Sequence, residues 1–199
     1  MTGLRERKRE RTRTAISEAA IALFVEHGFE QVSITQVAEA AEVSRRTLFA
    51  YFPTKEDLVV HRFADHESEP ARIVRARPPD TTPLQALRDH FLDGLRRRDP
   101  ITGLNDLPVI TDLLRMLFAS PALKLRMSTF RTSSEEMLAR AIQGEGPPEL
   151  PARVTAAQLA AVQWLLSQDN FRLMVDGVPA EDRYPQAVAD AELAFGMLG

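Results

Sequence analysis

The sequence predicts an all-α protein, and three observations carry that reading. Apolar residues recur every three to four positions through most of the chain, and no strand-like alternation interrupts them. Ser or Thr followed three positions later by Gln or Asp marks repeated helix starts. The layout is an N-terminal three-helix domain with a helix-turn-helix over residues 1–54, followed by a larger helical domain over residues 55–199.

The first helix is predicted from near Glu10 to His27, with Ile16, Ala19, Ala20, Leu23 and Phe24 as its apolar stripe. Gly28 suits a left-handed C-cap, and Phe29 can fold back onto the helix. Ser33 and Gln36 form a capping box that starts a second helix at Ile34, and Ile34, Val37, Ala38 and Ala41 share one face. Ala41-Glu42-Val43 is the turn, and Ser44 is the N-cap of a third helix. Thr54 and Asp57 form another box after Pro53 closes that helix. A fourth helix then starts near Lys55 and carries Leu58, Val59, Arg62 and Phe63 outward from the domain.

In the third helix Leu48 and Phe52, one turn apart, are the buried pair, so the rows begun by Arg45 and Arg46 face out. Two outward arginines just after a tight turn suit the DNA major groove, where arginine forks to guanine O6 and N7. Ala50 is small enough to let the helix approach base edges. Thr47, Tyr51 and Lys55 offer a hydroxyl, a phenol and an ammonium suited to phosphate oxygens, and Lys55 lies near a helix N-terminus that favours anions. Ser44, which caps this helix, belongs to the same DNA-binding set. An ordinary helical hairpin with solvated arginines would use the same caps.

A formal net charge of -3 argues against nucleic acid, but its distribution does not. Residues 1–13 hold Arg5, Arg7, Lys8, Arg9, Arg11 and Arg13 against Glu6 and Glu10, an excess of four positive charges. Phosphates feel charge within a Debye length, about 8 Å in physiological salt. The arm therefore reads as a phosphate or minor-groove contact, with a solvated tail as the alternative.

The run Ile34-Thr35-Gln36-Val37-Ala38 through Val43-Ser44-Arg45-Arg46-Thr47-Leu48-Phe49-Ala50-Tyr51-Phe52-Pro53-Thr54-Lys55-Glu56-Asp57-Leu58 resembles the DNA-binding domain of the tetracycline-repressor (TetR) family. So does the preceding Ala20-x-x-Leu23-Phe24-x-x-x-Gly28-Phe29. The resemblance covers roughly residues 10 to 60; beyond them only length and helical layout match. It implies an all-α homodimer with an N-terminal DNA-binding domain and a C-terminal domain that binds a small inducer and dimerises. Carried over by position, Arg45, Arg46, Phe49 and Ala50 face the bases, and Thr35 lies near base or phosphate. Thr47, Tyr51 and Lys55 are the implied phosphate contacts. The chain departs from the family at Glu42, where Gly is usual, and at Phe49, where Tyr is frequent. A left-handed Glu42 costs about 1–2 kcal/mol. Phe49 can pack on a thymine methyl or lie in the core beside Leu48.

Four prolines, at 70, 78, 79 and 83, mark residues 67–83 as a kink and linker. Five helical patterns follow: Leu84 to Arg98, Leu107 to Ala119, Pro121 to Ile142, a long helix capped by Thr155 and Gln158 that ends near Gly177, and Asp182 to Leu198. A Gly-Pro loop separates the third from the fourth. An apolar pocket is expected from Phe91, Leu95, Ile110, Leu114, Leu117, Met127, Phe130, Arg131, Trp164 and Phe171. The dimer interface is expected on the last two helices, from Leu159, Val162 and Leu166 and from the small-residue row Ala187, Ala191 and Ala194 with Phe195 and Leu198.

Cysteine is absent, which excludes a disulfide framework, a thiolate metal site and a cysteine nucleophile and fits a cytoplasmic location. No secretory leader or membrane span is expected. No Walker loop, G-x-S-x-G, H-E-x-x-H or dinucleotide fingerprint occurs, so neither an enzyme nor a cofactor is expected. His61, Asp65, His66, Glu67 and Glu69 have partial metal-ligand spacing but read as a solvated acidic helix end, and no metal is expected. The function expected is a dimeric, DNA-binding transcriptional repressor. Its partners are a palindromic duplex operator and an apolar or amphipathic small-molecule inducer. The alternative is a helical small-molecule-binding protein or enzyme with an incidental helix-turn-helix.

Overall fold

A computed structural model describes residues 2–199, with all their side chains except those of Thr2, Leu4, Arg5, Glu6, Ala64 and Asp65. Arg5 and Glu6 of the basic arm, and Asp65 of the acidic run, therefore lie outside the described side chains. The described residues form helices and connecting turns, with no strand among them. They divide into two compact units, residues 1–64 with 112–128 and residues 65–111 with 129–199.

The first unit holds α1 (Thr2–His27), α2 (Ile34–Ala40), α3 (Arg45–Tyr51) and α4 (Asp57–Val60), and a single 3-10 turn over His61–Phe63 follows α4. Helix α1 packs on α2 and α4. Ile16, Ala20, Phe24, Val37, Leu48, Phe52 and Leu58 are its buried apolar centre. Gly28 takes φ +89° and turns Phe29 back against Phe24, ring centroids 5.0 Å apart. Inside the packed region Ser17 Oγ donates to the Leu58 carbonyl at 2.9 Å.

Two sequence expectations are corrected in this unit. Helix α1 begins at Thr2 rather than near Glu10, so the basic residues are helical. Arg, Lys and Glu are strong helix formers and extend the helix without needing a buried face. The predicted fourth helix is broken into α4, the 3-10 turn and α5 (Ala64–Glu67). Leu58, Val59, Val60 and Phe63 are all buried, a near-continuous apolar run that one stripe of a regular helix could not bury on one side.

The second half of α8 (Pro108–Ala119) and the start of α9 (Pro121–Gln143) also belong to the first unit. Leu113, Leu114, Leu117, Leu123 and Met127 are buried there.

The second unit contains α6 (Glu69–Ala76), α7 (Pro83–Arg97), α10 (Leu150–Val175) and α11 (Ala180–Gly196), with the rest of α8 and α9. The expected linker over residues 67–83 is therefore corrected: it contains α6. Pro70 sits in the first turn of that helix, where its missing N–H is not needed. Thr82 and Gln85 form a capping box at α7, with bonds of 3.1 and 2.9 Å. The long helix expected to start at Thr155 begins instead at Leu150, with Pro151 in its first turn. Leu87, Phe91, Leu95, Leu138, Leu159, Ala187, Ala191 and Phe195 centre the core, where α11 packs against α7 and α10.

The acidic end is also corrected. Glu69 is half-buried and paired: its carboxylate lies between His66 Nδ1 at 2.7 Å and His90 Nε2 at 3.4 Å. Hydrogen bonding first to His66 and then to His90 holds its carboxyl well below the usual glutamate range.

A polar lock closes the other side of the second unit. Asn170 Nδ2 donates to the Thr102 carbonyl at 3.0 Å, and its Oδ1 accepts from Arg183 Nε at 2.9 Å. Gly103, at φ +73°, lies so close to α10 that an added Cβ would sit 2.0 Å from the Ser167 carbonyl oxygen. Gly144 shares the left-handed backbone, at φ +84°, but faces open space. Gly103→Ala is expected to cost about 3 kcal/mol of stability and Gly144→Ala about 1 kcal/mol. Equal losses for the two variants in urea unfolding would refute the role of close packing at Gly103.

Candidate nucleic-acid interface

Helix α3 is held at both ends by its own sequence. Ser44 Oγ accepts from the Thr47 N–H at 3.0 Å and lies 2.8 Å from Thr47 Oγ1. The Phe52 N–H donates to the Leu48 carbonyl at 2.9 Å. Leu48 and Phe52 are buried, while Arg45, Arg46, Phe49 and Ala50 are exposed. Phe49 is 42% exposed, so the core alternative for this ring is set aside.

Helix α2 starts with the full capping box. The Ser33 N–H donates to Gln36 Oε1 at 2.8 Å, and the Gln36 N–H donates to Ser33 Oγ at 3.3 Å. Thr35 is exposed in its first turn. The helix ends in a Schellman motif: the Val43 N–H bonds the Ala38 carbonyl at 2.9 Å and the Glu42 N–H bonds the Glu39 carbonyl at 3.0 Å. Glu42 is left-handed, at φ +53°, as that motif demands of the residue after the cap.

The flanking residues differ among themselves. Tyr51 is half-buried, with the Arg9 guanidinium 5.9 Å from its ring centroid. Arg13 stands over Phe52 at 5.6 Å. Thr47 is half-buried and its hydroxyl engages Ser44. Lys55, expected at a phosphate, is turned into its own unit: Nζ donates to the Phe29 carbonyl and lies 4.5 Å from the Phe29 ring centroid. A buried carbonyl and two aromatic faces hold that ammonium better than a solvated position would.

Sequence reasoning missed the placement of Arg9 and Arg13 beside α3. Their i, i+4 spacing would have shown it had the first helix been carried back past Glu10. It also missed two anchors of the α8–α9 segment. Ser120 Oγ donates to Glu30 Oε1 at 2.8 Å, and Arg126 Nε donates to Asp57 Oδ1 at 2.7 Å. Asp57 Oδ2 meanwhile accepts from the Thr54 N–H at 3.1 Å, completing the expected box. These partners are 90 and 69 residues apart in the chain, so no local pattern announces them.

The expected pocket residues do not share one unit. Leu114, Leu117 and Met127 are buried in the first. In the second, Phe91 and Leu95 are core residues, while Ile110, Phe130, Trp164 and Phe171 are half-buried. Arg131 is exposed, with its guanidinium 4.6 Å from the Trp164 ring centroid. An open groove of about 880 Å³ in the second unit is lined by none of them; its walls include Leu84, Leu92, Phe195 and Leu198, with Arg88 and Glu192 at its polar edge.

The residues of the expected dimer set differ in exposure. Leu159, Leu166, Ala187, Ala191 and Phe195 are buried in the second unit's own core, and Val162, Ala194 and Leu198 pack against it. Small residues brought these helices close to their own neighbours instead. The exposed large apolar residues here are Leu150, Val154 and Leu165 on α10, and Leu193 on α11 with Met197 at its C-cap.

The signature described as "Bacterial regulatory proteins, tetR family" matches residues 16–61, from the middle of α1 through α4. The HTH-type transcriptional regulator TcmR of Streptomyces glaucescens is 32% identical over 139 residues, 69% of this chain and 60% of that protein. The HTH-type transcriptional repressor KstR of Mycolicibacterium smegmatis is 31% identical over 147 residues, 72% of this chain and 69% of that protein. This chain belongs to the TetR family. The fold agrees: native NalD of Pseudomonas aeruginosa, a secondary repressor of the MexAB-OprM multidrug efflux pump, superposes with a TM-score of 0.62 at 21% identity. That likeness covers 94% of this chain and 97% of NalD. The chain spans less than two thirds of the TcmR length. Among the described residues no helix is long and apolar enough to cross a membrane.

Within the TetR helix-turn-helix, the left-handed Glu42 is the strained position. Glu42→Gly is expected to raise stability by about 0.5–1 kcal/mol, the relief of a left-handed side chain less the added freedom of the unfolded glycine. Glu42→Ala keeps the strain and gives no such gain. A denaturation midpoint that rises equally in both variants would show that side-chain charge, not backbone, sets the cost.

Proposed function

We propose that this TetR-family chain is a DNA-binding transcriptional repressor, released from a palindromic operator by an apolar or amphipathic small molecule and acting in the cytoplasm. The observation that carries the DNA reading is the exposed set Arg45, Arg46, Phe49 and Ala50 on a helix whose Leu48 and Phe52 row is buried. Arg45 and Arg46 address base edges, and Ala50 permits close approach. Thr35, Ser44, Thr47 and Tyr51 flank them toward the phosphate backbone, with Arg9 added through its place beside Tyr51. Repression is supported by relatives named as repressors, KstR among them.

The inducer is assigned to the second unit. Ile110, Phe130, Trp164 and Phe171 are among its half-buried apolar side chains outside the apolar core, and they suit an apolar ligand. The dimer is assigned to α10 and α11 through the outward residues Val154, Leu165, Leu193 and Met197. Leu193 and Met197, one turn apart, are 68% and 78% exposed, an apolar pair that a two-fold-related copy would cover. A dimer places two copies of α3 about one DNA turn apart, which is what a palindrome requires.

The deciding experiment measures affinity for duplex DNA from the chain's own upstream region across a salt series. Arg45→Ala and Arg46→Ala are each expected to weaken specific binding by about 1–3 kcal/mol while nonspecific binding persists. Wild-type affinity independent of salt, or unaltered in both variants, would favour the alternative of a helical small-molecule-binding protein. Leu193→Glu is expected to give a folded monomer in analytical ultracentrifugation that has lost operator affinity. A Leu193→Glu protein that remains dimeric would move the interface elsewhere.

A further inference from the structure

Phe24, Phe29, Phe52 and Phe63 are buried in the first unit, but Phe49 stands 42% exposed on the outer face of α3. It is one turn beyond Arg45 and adjoins Ala50, so three exposed residues form a face with a cation at one end and an aromatic ring at the other. The ring can neither donate nor accept a hydrogen bond at a base edge or a phosphate. In the major groove the apolar feature is the 5-methyl group of thymine. Four residues of helix advance about 6 Å, and a base step is about 3.4 Å, so Arg45 and Phe49 reach positions about two base pairs apart.

We infer that Phe49 is a specificity-determining residue that packs on a thymine methyl, about two base pairs from the guanine addressed by Arg45, in each operator half-site. The inference rests on the DNA-binding reading given above. It adds a preference that the arginines cannot supply, because a guanidinium does not distinguish thymine from uracil.

The test uses the full chain and duplexes that it enriches from a randomised library at fixed salt. Each thymine of the enriched half-site is replaced in turn by deoxyuridine, which removes the methyl and leaves every hydrogen bond. Wild-type protein is expected to bind about fourfold more weakly for one such replacement per half-site, the size of one buried methyl-like group. Phe49→Ala, at an exposed position, is expected to bind the thymine and deoxyuridine probes equally. Two results overturn the inference: wild-type binding that is indifferent to every replacement, or a Phe49→Ala protein that still discriminates at the same base. The first of these needs no variant and is independent of folding. A library from which nothing is enriched is a different failure, since it removes the DNA-binding reading and this inference with it.

Discussion

A seven-residue helix does not hold itself together in water, where isolated helices shorter than about 12–15 residues are marginal. Helix α3 exists because Leu48 and Phe52 are buried on one side of it. Everything on its other side follows from that constraint. With this row inward, Arg45, Arg46, Phe49 and Ala50 have only the exterior left. The caps contribute about 1 kcal/mol at most positions of this kind, whereas burying a leucine and a phenylalanine contributes about 1.5–3 kcal/mol each. Burial therefore orients the helix, and Ser44 trims its end. The exposure of the arginines is the complement of a packing decision made by two apolar side chains.

The same packing sorts the cations of the first unit into separate roles. Lys55 is drawn onto the Phe29 carbonyl and the rings of Phe24 and Phe29. Arg13 is drawn over Phe52, Arg9 only to the rim of Tyr51, and Arg45 and Arg46 are left in solvent. Residue type alone makes all of these equal candidates for contact with nucleic acid. Neighbours decide otherwise, since a cation over an aromatic face gains about 0.5–2 kcal/mol and gives up part of its reach. A net charge of -3 for the chain is compatible with this, because six cations stand against two glutamates in residues 1–13 and two exposed arginines open α3.

Local signals in the sequence resolved the helix-turn-helix almost residue by residue. The capping box at Ser33, the cap at Ser44, the box at Thr54 and the left-handed Gly28 all depend on residues three or four apart, and all are present. What the sequence misled on was direction and extent. Pro70 was read as a break because proline usually ends helices, yet in a first turn it begins one. The alanine row on α11 was read as a surface for another chain, because small residues allow close approach without saying to what; here it is to α7 and α10. Glu69 looked solvated because His90 lies 21 positions away on another helix. The placement of Glu69 and of the α11 alanines depends on which distant element lies opposite, and a local pattern does not carry that.

Contacts between residues distant in the chain also fix the surroundings of α3. Residues 112–128 are fixed to the first unit by Ser120 to Glu30 and by Arg126 to Asp57, and Asp57 in turn holds the Thr54 N–H just beyond α3. Helix α9, which carries Arg126, continues to Gln143 and so supplies residues to both units. A partly exposed ion pair contributes up to about 1 kcal/mol, and a hydrogen bond to a carboxylate about 1.5–3 kcal/mol. Coupling between an effector and a ligand typically amounts to about 1–3 kcal/mol. Each of these two contacts is of that order, and Arg126 is one of the two groups that hold the Asp57 carboxylate beside the Thr54 N–H.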